Sequence, residues 1–200
     1  SRGLGDVYKR QVAIATSVAK GDDKIAEWCV QNDITCVRGS EDDVLSRYAQ
    51  AVRELEASVV MRLTADTPFL DPGICSQVLW LFKTTGADYV SNVDPVVWAD
   101  GLDCEVFTAS ALLTASEFAT RMFEREHVTP YIRYNRQQFS IRSLECPFDN
   151  LHFENWALDT PEDLAFLRKV AMHLEIGVSP SFIPRHLGRS LFSCWLDRPN

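Results

Sequence analysis

The sequence predicts an α/β fold with a mixed, mostly parallel sheet and helices on both faces, and three observations predict it. Short β-branched apolar runs alternate with segments whose apolar residues recur at helical spacing, from Val12 through the first half of the chain. Several of those helical segments open on capping signatures, which separate them sharply from the strands. In the second half the strand-like runs are less regular, which implies partly antiparallel pairing. Strand–helix–strand alternation itself implies parallel pairing through right-handed crossovers.

The elements follow in order. "VAIAT" (12–16) reads as a buried strand, and 22–31 as a helix carrying Ile25, Trp28 and Cys29, broken by Asn32-Asp33. "ITCV" is a second strand. Ser40-Glu41-Asp42-Asp43 has the form of a capping box ahead of a stripe of Val44, Leu45, Tyr48, Val52 and Leu55. "SVVMRLT" (58–64) reads as a buried third strand. Asp71-Pro72, a capping side chain followed by proline at the first helical position, opens a helix whose core face is Ile74, Val78, Leu79, Leu81 and Phe82. "ADYVSNV" and "CEVFTA" are strands, 109–119 and 124–134 are helices, and "FSIRSLEC" and "NWALD" are two further strands. Thr160-Pro161-Glu162-Asp163 is a second capping signature, for a helix running to about Glu175. There is no internal repeat, low-complexity segment or clear domain boundary.

Composition narrows the function classes. With 200 residues, 46% hydrophobic and 24% charged, the chain suits one globular domain with a real core. No stretch approaches the roughly 20 apolar residues that cross a bilayer, and no signal-peptide pattern is present, so a soluble, cytoplasmic protein without a membrane partner is expected. The net charge of -8 and the lack of a Lys/Arg cluster argue against a nucleic-acid polymer, though not against a mononucleotide held by a metal ion and a few basic groups. Six cysteines without a CxxC pair read as buried free thiols, not as disulfides or a zinc site.

Residues 1–11, "SRGLGDVYKRQ", have no apolar period, and their latter part resembles the translated read-through of a transposon-end adapter. They are expected to be a non-native segment, which would leave 12–177 as the functional domain. Residues 178–200, with their prolines and serines, are expected to form an irregular tail.

An α/β sheet binds ligands at the carboxyl ends of its strands, and Asp66 and Asp159 fall at such ends. Two carboxylates there suit Mg²⁺, which is commonly held by one or two carboxylates plus substrate phosphates. By spacing alone, helix or turn capping explains them better. Asp71 and Asp163 have stronger capping explanations and are left out of the metal set. In "WADGLDCEVF", Gly101 would let the backbone approach a ligand closely, while Asp103 and Glu105, two apart, would share one strand face and suit sugar hydroxyls. An ordinary turn into an edge strand with a solvated acidic face fits the same residues. Glu124, Glu126 and His127 sit in a charged helix start whose acids the helix dipole explains without any ligand, and a lone His is more often a packed or surface residue than a catalyst. His152, His173 and His186 have no motif around them.

Four segments in order, "RGSEDDVLSRY" (38–48), "RLTADTPFLDP" (62–72), "DGLDCEVF" (100–107) with "EREHVTPY" (124–131), and "LDTPEDL" (158–164), resemble the acylneuraminate cytidylyltransferase family, in its spore coat polysaccharide biosynthesis protein F branch. The resemblance covers Val12 to about Val170. It implies a Rossmann-like nucleotide-diphospho-sugar transferase fold, a homodimer, and transfer of CMP from CTP to the anomeric hydroxyl of a sialic-acid-like sugar with release of pyrophosphate. It implies that Asp66 and Asp159 bind magnesium and carry the catalysis, and that Ser17, Ser40 and Arg47 hold the cytidine. It also implies that Gly101, Asp103, Glu105, Glu126 and His127 lie on the sugar side. The family's usual Gly-Asp-Cys-Pro is here Ala65-Asp66-Thr67-Pro68, which keeps the aspartate and the proline. The family also opens with a strand and a basic glycine-containing phosphate loop that these residues do not include. On that ground the fragment is expected to be inactive and a full-length parent active. Two rival readings stay open: a metal-dependent glycosyltransferase that consumes a nucleotide sugar, and a non-catalytic sugar-binding domain.

Overall fold

The computed structural model describes residues 11–149 and 151–171. The expectations for residues 1–10, for the helix end near Glu175, for the tail 178–200, and for His173, His186 and Cys194 lie outside the described residues. The described residues divide into two compact units, one made of those up to Ser58 together with 112–134, the other of 59–111 together with those from Asn135 on.

In the first unit, β1 (Ala13–Ser17) runs parallel to β2 (Thr35–Gly39), in register from Ala13 opposite Thr35 to Ser17 opposite Gly39. The crossover is a 3-10 turn (Lys20–Asp22) and α1 (Asp23–Gln31). The stripe expected on α1 is only partly covered: Cys29 is buried, whereas Trp28 and Ile25 are exposed. After β2 comes α2 (Val44–Glu54), which buries Leu45, Ala49 and Val52. Its cap differs from the expected box. Asp43, not Ser40, is the N-cap residue, accepting from the Ser46 amide at 2.9 Å, and Ser40 instead accepts at its Oγ from the Asp43 amide at 3.0 Å.

The second unit is built on a four-stranded sheet in the order β3-β5-β4-β6, comprising β3 (Val59–Arg62), β4 (Tyr89–Ser91), β5 (Glu105–Thr108) and β6 (Ile141–Ser143). β5 is antiparallel to both β3 and β4, while β4 and β6 are parallel. Two described ladders in the chain are thus parallel and two antiparallel. The mixed character is as expected, but parallel pairing does not predominate. Neither is β3 the buried strand expected, since Val59 is exposed and its other residues are half-buried. α3 (Pro72–Thr85) packs on this sheet through Ile74, Val78 and Phe82, which share one core with Val90, Trp98, Leu102, Val106, Trp156 and Leu167. Asp71 caps α3 as expected, accepting from the Gly73 and Ile74 amides. α7 (Pro161–Ala171) closes the described chain. "NWALD" forms a single parallel bridge, Asp100 to Asn155, in place of a strand.

α4 (Ala109–Phe118) carries the chain from the second unit into the first. The helix expected over 124–134 is two helices, α5 (Met122–His127) and α6 (Pro130–Tyr134). Pro130 offers no amide hydrogen to a continuing helix and disfavours helical backbone at Thr129. The chain turns instead at Val128 (φ 71°, ψ −55°), where the Thr129 amide donates to the His127 carbonyl at 2.8 Å. That is a strained γ-turn, held at a valine whose side chain is fully buried. The five described cysteines are free, as expected, with Cys29 and Cys104 buried. Among the described residues no helix is long and apolar enough to cross a membrane.

Candidate active site

The second unit gathers its acids by topology. Because β5 is antiparallel to β3 and β4, its first residue lies at the carboxyl ends of both neighbours. The loop after β3, which carries Asp66, and the segment before β5, which carries Asp100 and Asp103, therefore meet at one sheet edge. A third segment joins them. The Leu158 amide donates to the Asp66 carbonyl at 2.8 Å, so the residue next along the chain, Asp159, stands beside the Asp66 turn. Both aspartates are exposed, and among the described residues neither carboxylate takes part in a hydrogen bond or ion pair. Capping, the competing explanation for Asp159, is performed by its neighbours. Asp163 Oδ2 accepts from the Thr160 amide at 2.8 Å, and Thr160 Oγ1 accepts from the Asp163 amide at 3.2 Å. This reciprocal box leaves Asp159 outside the helix start.

Gly101 has a role other than the one its sequence context suggests. With φ at 91°, its missing Cβ leaves room for the protein's own backbone, since a methyl group there would lie 2.4 Å from the Trp156 carbonyl carbon. The close approach ties 98–102 to 154–157 through the pair Asp100 N to Glu154 O (3.1 Å) and Trp156 N to Asp100 O (2.8 Å). It thereby holds the chain that leads into Asp159.

Asp103 and Glu105 are not equivalent. Glu105 is buried, directly opposite Arg62 in the ladder. Its Oε2 accepts from Arg62 Nη1 and its Oε1 from the Tyr89 hydroxyl, each at 2.5 Å. It is an internal ion pair that locks β3, β4 and β5, which corrects the expectation that it shares an open face with Asp103. Asp103 is half-buried. Burial pushes its carboxyl up to about 6, helped by the negative charges of Asp100, Glu105 and Asp66 and opposed by Arg62. In the folded chain it therefore keeps its proton to higher pH than in the unfolded chain. Between about pH 4 and pH 6 this carboxyl is more fully protonated in the folded state, so its own contribution to stability falls as pH rises through that window. A rise of that size is worth at most about 3 kcal/mol. Asp103→Asn is expected to flatten that slope in urea denaturation in metal-free buffer, leaving the variant more stable than wild type at pH 7 but not at pH 4. An unchanged slope would mean that another group carries it.

Sequence reasoning missed Asn92. This buried side chain accepts from the Cys104 amide and donates to the Leu102 carbonyl, both at 2.7 Å. It substitutes for a missing strand partner and brackets Asp103 from both sides. Its only sequence signal was a polar residue at the end of an apolar strand.

In the first unit, the ends of β1 and β2 bring together Ser17, Ser40 and Arg47. Asp22 Oδ2 accepts from the Ser17 amide (2.9 Å) and the Thr16 hydroxyl (2.7 Å). Hydrogen bonding from Ser17 and then Thr16 draws the Asp22 carboxyl down to about 2, with a smaller attraction from Arg47. Arg47 donates from Nη1 to the Ser40 carbonyl at 2.8 Å, and its buried Nε has no hydrogen-bond partner among the described residues. Arg38 supports the same turn by donating to the Ser17 and Ala19 carbonyls, at 2.8 and 3.0 Å. Glu126 and His127 also belong to this unit. Both are exposed at the end of α5, and the His127 ring packs on Phe123 at 4.8 Å between centroids.

The family model described as cytidylyltransferase matches residues 6–177 of this chain. The chain belongs to the cytidylyltransferase family. This cytidylyltransferase is 35% identical over 168 residues to an uncharacterised protein of Methanocaldococcus jannaschii, covering 82% of this chain and 67% of the relative. It is 30% identical over 172 residues to the spore coat polysaccharide biosynthesis protein SpsF of Bacillus subtilis, covering 84% and 69%. A solved cytidylyltransferase from Leptospira borgpetersenii superposes with a TM-score of 0.78 at 28% identity, covering 84% of this chain and 71% of that one. The fold is thus a Rossmann-like nucleotidyltransferase fold with mixed sheets, and this member is a CTP-dependent nucleotidyltransferase.

Proposed function

We propose that this cytidylyltransferase joins CMP from CTP to the anomeric hydroxyl of a sugar and releases pyrophosphate, in the making of a polysaccharide. The sugar is of the sialic-acid-like class, in keeping with the acylneuraminate branch, and the enzyme is a cytoplasmic homodimer. Support for a polysaccharide setting comes from the relationship to a protein named for spore coat polysaccharide biosynthesis. The observation that carries the reading is the Leu158-to-Asp66 hydrogen bond, beside which stand two exposed carboxylates that have no partner among the described residues.

Two such carboxylates fit Mg²⁺. Among the described residues no set of three or more His, Cys, Asp or Glu is arranged to hold a metal, and an ion that also takes phosphate oxygens needs only one or two carboxylates. Asp66 and Asp159 would hold it. When bound, the ion supplies neutralisation of the charge that grows on the phosphates. Arg47, with a buried donor to spare, and Ser17 and Ser40 hold the cytidine. Asp103 faces the sugar. Glu126 or His127 orients the attacking hydroxyl or takes its proton as the new bond to the α-phosphorus forms and the α–β anhydride bond breaks.

The test is to incubate the protein with CTP, Mg²⁺ and a panel of sugars. Pyrophosphate and a CMP-sugar are expected only when CTP and a nonulosonic acid are both present. Sugar transfer from a supplied nucleotide sugar, without pyrophosphate, would overturn the reading in favour of a glycosyltransferase.

A further inference from the structure

Arg125 lies on α5 inside a motif otherwise read for its Glu and His, yet its guanidinium reaches the turn that precedes α2. Nε and Nη2 both donate to Asp43 Oδ2, at 2.8 and 2.6 Å, while Nη1 donates to the carbonyls of Ser116 and Ala119 at the end of α4, at 2.9 and 3.1 Å. The cation therefore satisfies carbonyls that the last turn of a helix leaves unpaired, where the helix dipole favours positive charge. The anion it holds caps the opposite kind of end. Asp43 Oδ1 accepts from the Ser46 amide in the first turn of α2. One ion pair thus joins the carboxyl end of α4 to the amino end of α2.

What hangs on Asp43 gives the pair its consequence. The Asp43 amide donates to Ser40 Oγ, its carbonyl accepts from the Arg47 amide at 3.2 Å, and Arg47 returns to the Ser40 carbonyl. Ser40 and Arg47 are therefore set by where Asp43 sits, and Asp43 is set by Arg125. Partial burial of the pair, with side chains 24% and 32% exposed, spares it the full screening of a surface ion pair. Burial alone would raise the Asp43 carboxyl, but the bonds from Arg125 and the Ser46 amide outweigh it and hold the group below the usual carboxylate range. The link stays charged at neutral pH.

We propose that Arg125 is the positioning residue of the nucleotide-binding loop, so that through Asp43 it sets affinity for CTP and not the rate of the chemical step. The proposal rests on the reading that Ser17, Ser40 and Arg47 hold the nucleotide. Lysine cannot reproduce a fork that serves a carboxylate and two carbonyls together. Arg125→Lys and Asp43→Asn are each expected to weaken CTP binding by calorimetry, and to raise KM for CTP, by about tenfold, the scale of a lost charge-assisted hydrogen bond. The expected kcat stays within about twofold, and the double variant is no worse than the poorer single one, as for residues acting as a unit. Asp43→Asn carries the test if Arg125→Lys fails to fold. A lowered melting temperature with unchanged CTP affinity and KM would reduce the pair to a structural brace and overturn the proposal. Arg47→Ala separates the two ideas. If it loses CTP affinity while Arg125→Lys does not, only the Arg125 role falls. If it binds CTP like wild type, the nucleotide-site reading falls and the proposal with it.

Discussion

Asp159→Ala is expected to abolish pyrophosphate release from CTP while leaving the fold intact. The two halves of that expectation have separate grounds. Folding should survive because the side chain is exposed, engages nothing among the described residues, and leaves capping of α7 to Thr160 and Asp163. A surface substitution of that kind shifts stability by about 0.5 kcal/mol or less. Activity should not survive if Asp159 is one of only two protein ligands of the cation, because the remaining carboxylate would hold the ion weakly and out of position. A loss of about a thousandfold in kcat is the scale seen when a group that stabilises developing charge is removed. Asp66→Asn should behave alike, and combining the two should cost little more than either alone. Pyrophosphate release measured across a Mg²⁺ titration, alongside thermal melts, checks all of this. Unchanged turnover of Asp159→Ala at saturating Mg²⁺ would remove that residue from the site.

The second large effect is one of stability. At Gly101 an added Cβ would sit 2.4 Å from the Trp156 carbonyl carbon, 2.6 Å from the Ala157 nitrogen and 2.7 Å from the Trp156 oxygen. All three are backbone atoms, which cannot swing aside as a flexible side chain can. The left-handed φ adds its own cost for any residue with a Cβ. Gly101→Ala is expected to lose about 3–4 kcal/mol, combining overpacking with backbone strain. Gly86 is the control. It also has positive φ (63°), as the C-cap of α3, but nothing lies within 4 Å of where its Cβ would be. Gly86→Ala should cost only the backbone term, about 1–2 kcal/mol. Urea denaturation of the two variants side by side separates sterics from conformation. A Gly101→Ala no less stable than Gly86→Ala would mean that 98–102 and 154–157 readily part. Partial loss of activity is expected for Gly101→Ala even where it stays folded, because the displaced segment leads to Asp159.

Much of the architecture was legible because it rests on local rules. Asp71-Pro72 capped α3 and Thr160 with Asp163 capped α7, since a short polar side chain followed by a helix-compatible residue acts within four positions. The parallel β1-β2 pair followed from a helix lying between two apolar runs. Other expectations failed where a neighbour distant in sequence, or a competing local group, intervened. Ser40 and Asp43 compete for one helix start, and Asp43 takes it while Arg125, 82 residues away, binds its second oxygen. Glu105 read as one of an alternating acidic pair, yet Arg62 and Tyr89 draw it inward, and no spacing rule carries that information. Asn92 was invisible for the same reason. Val128 broke a helix expected to be continuous because the proline two residues on denied it a partner, a signal that was present in the chain.

By itself, the order of residues determined the class of fold, the starts of α3 and α7 and the family to which the chain belongs. Each of these depends on side chains acting within a turn or two, or on several short patterns recurring in order. Tertiary structure alone decided which acids stand together at one sheet edge, which of them burial and an arginine convert into internal ties, and which glycine is required by backbone packed against it. The reason lies in the direction of β5. A strand entering antiparallel between two others carries its beginning to their ends, and no local preference within β5 encodes which way it must run.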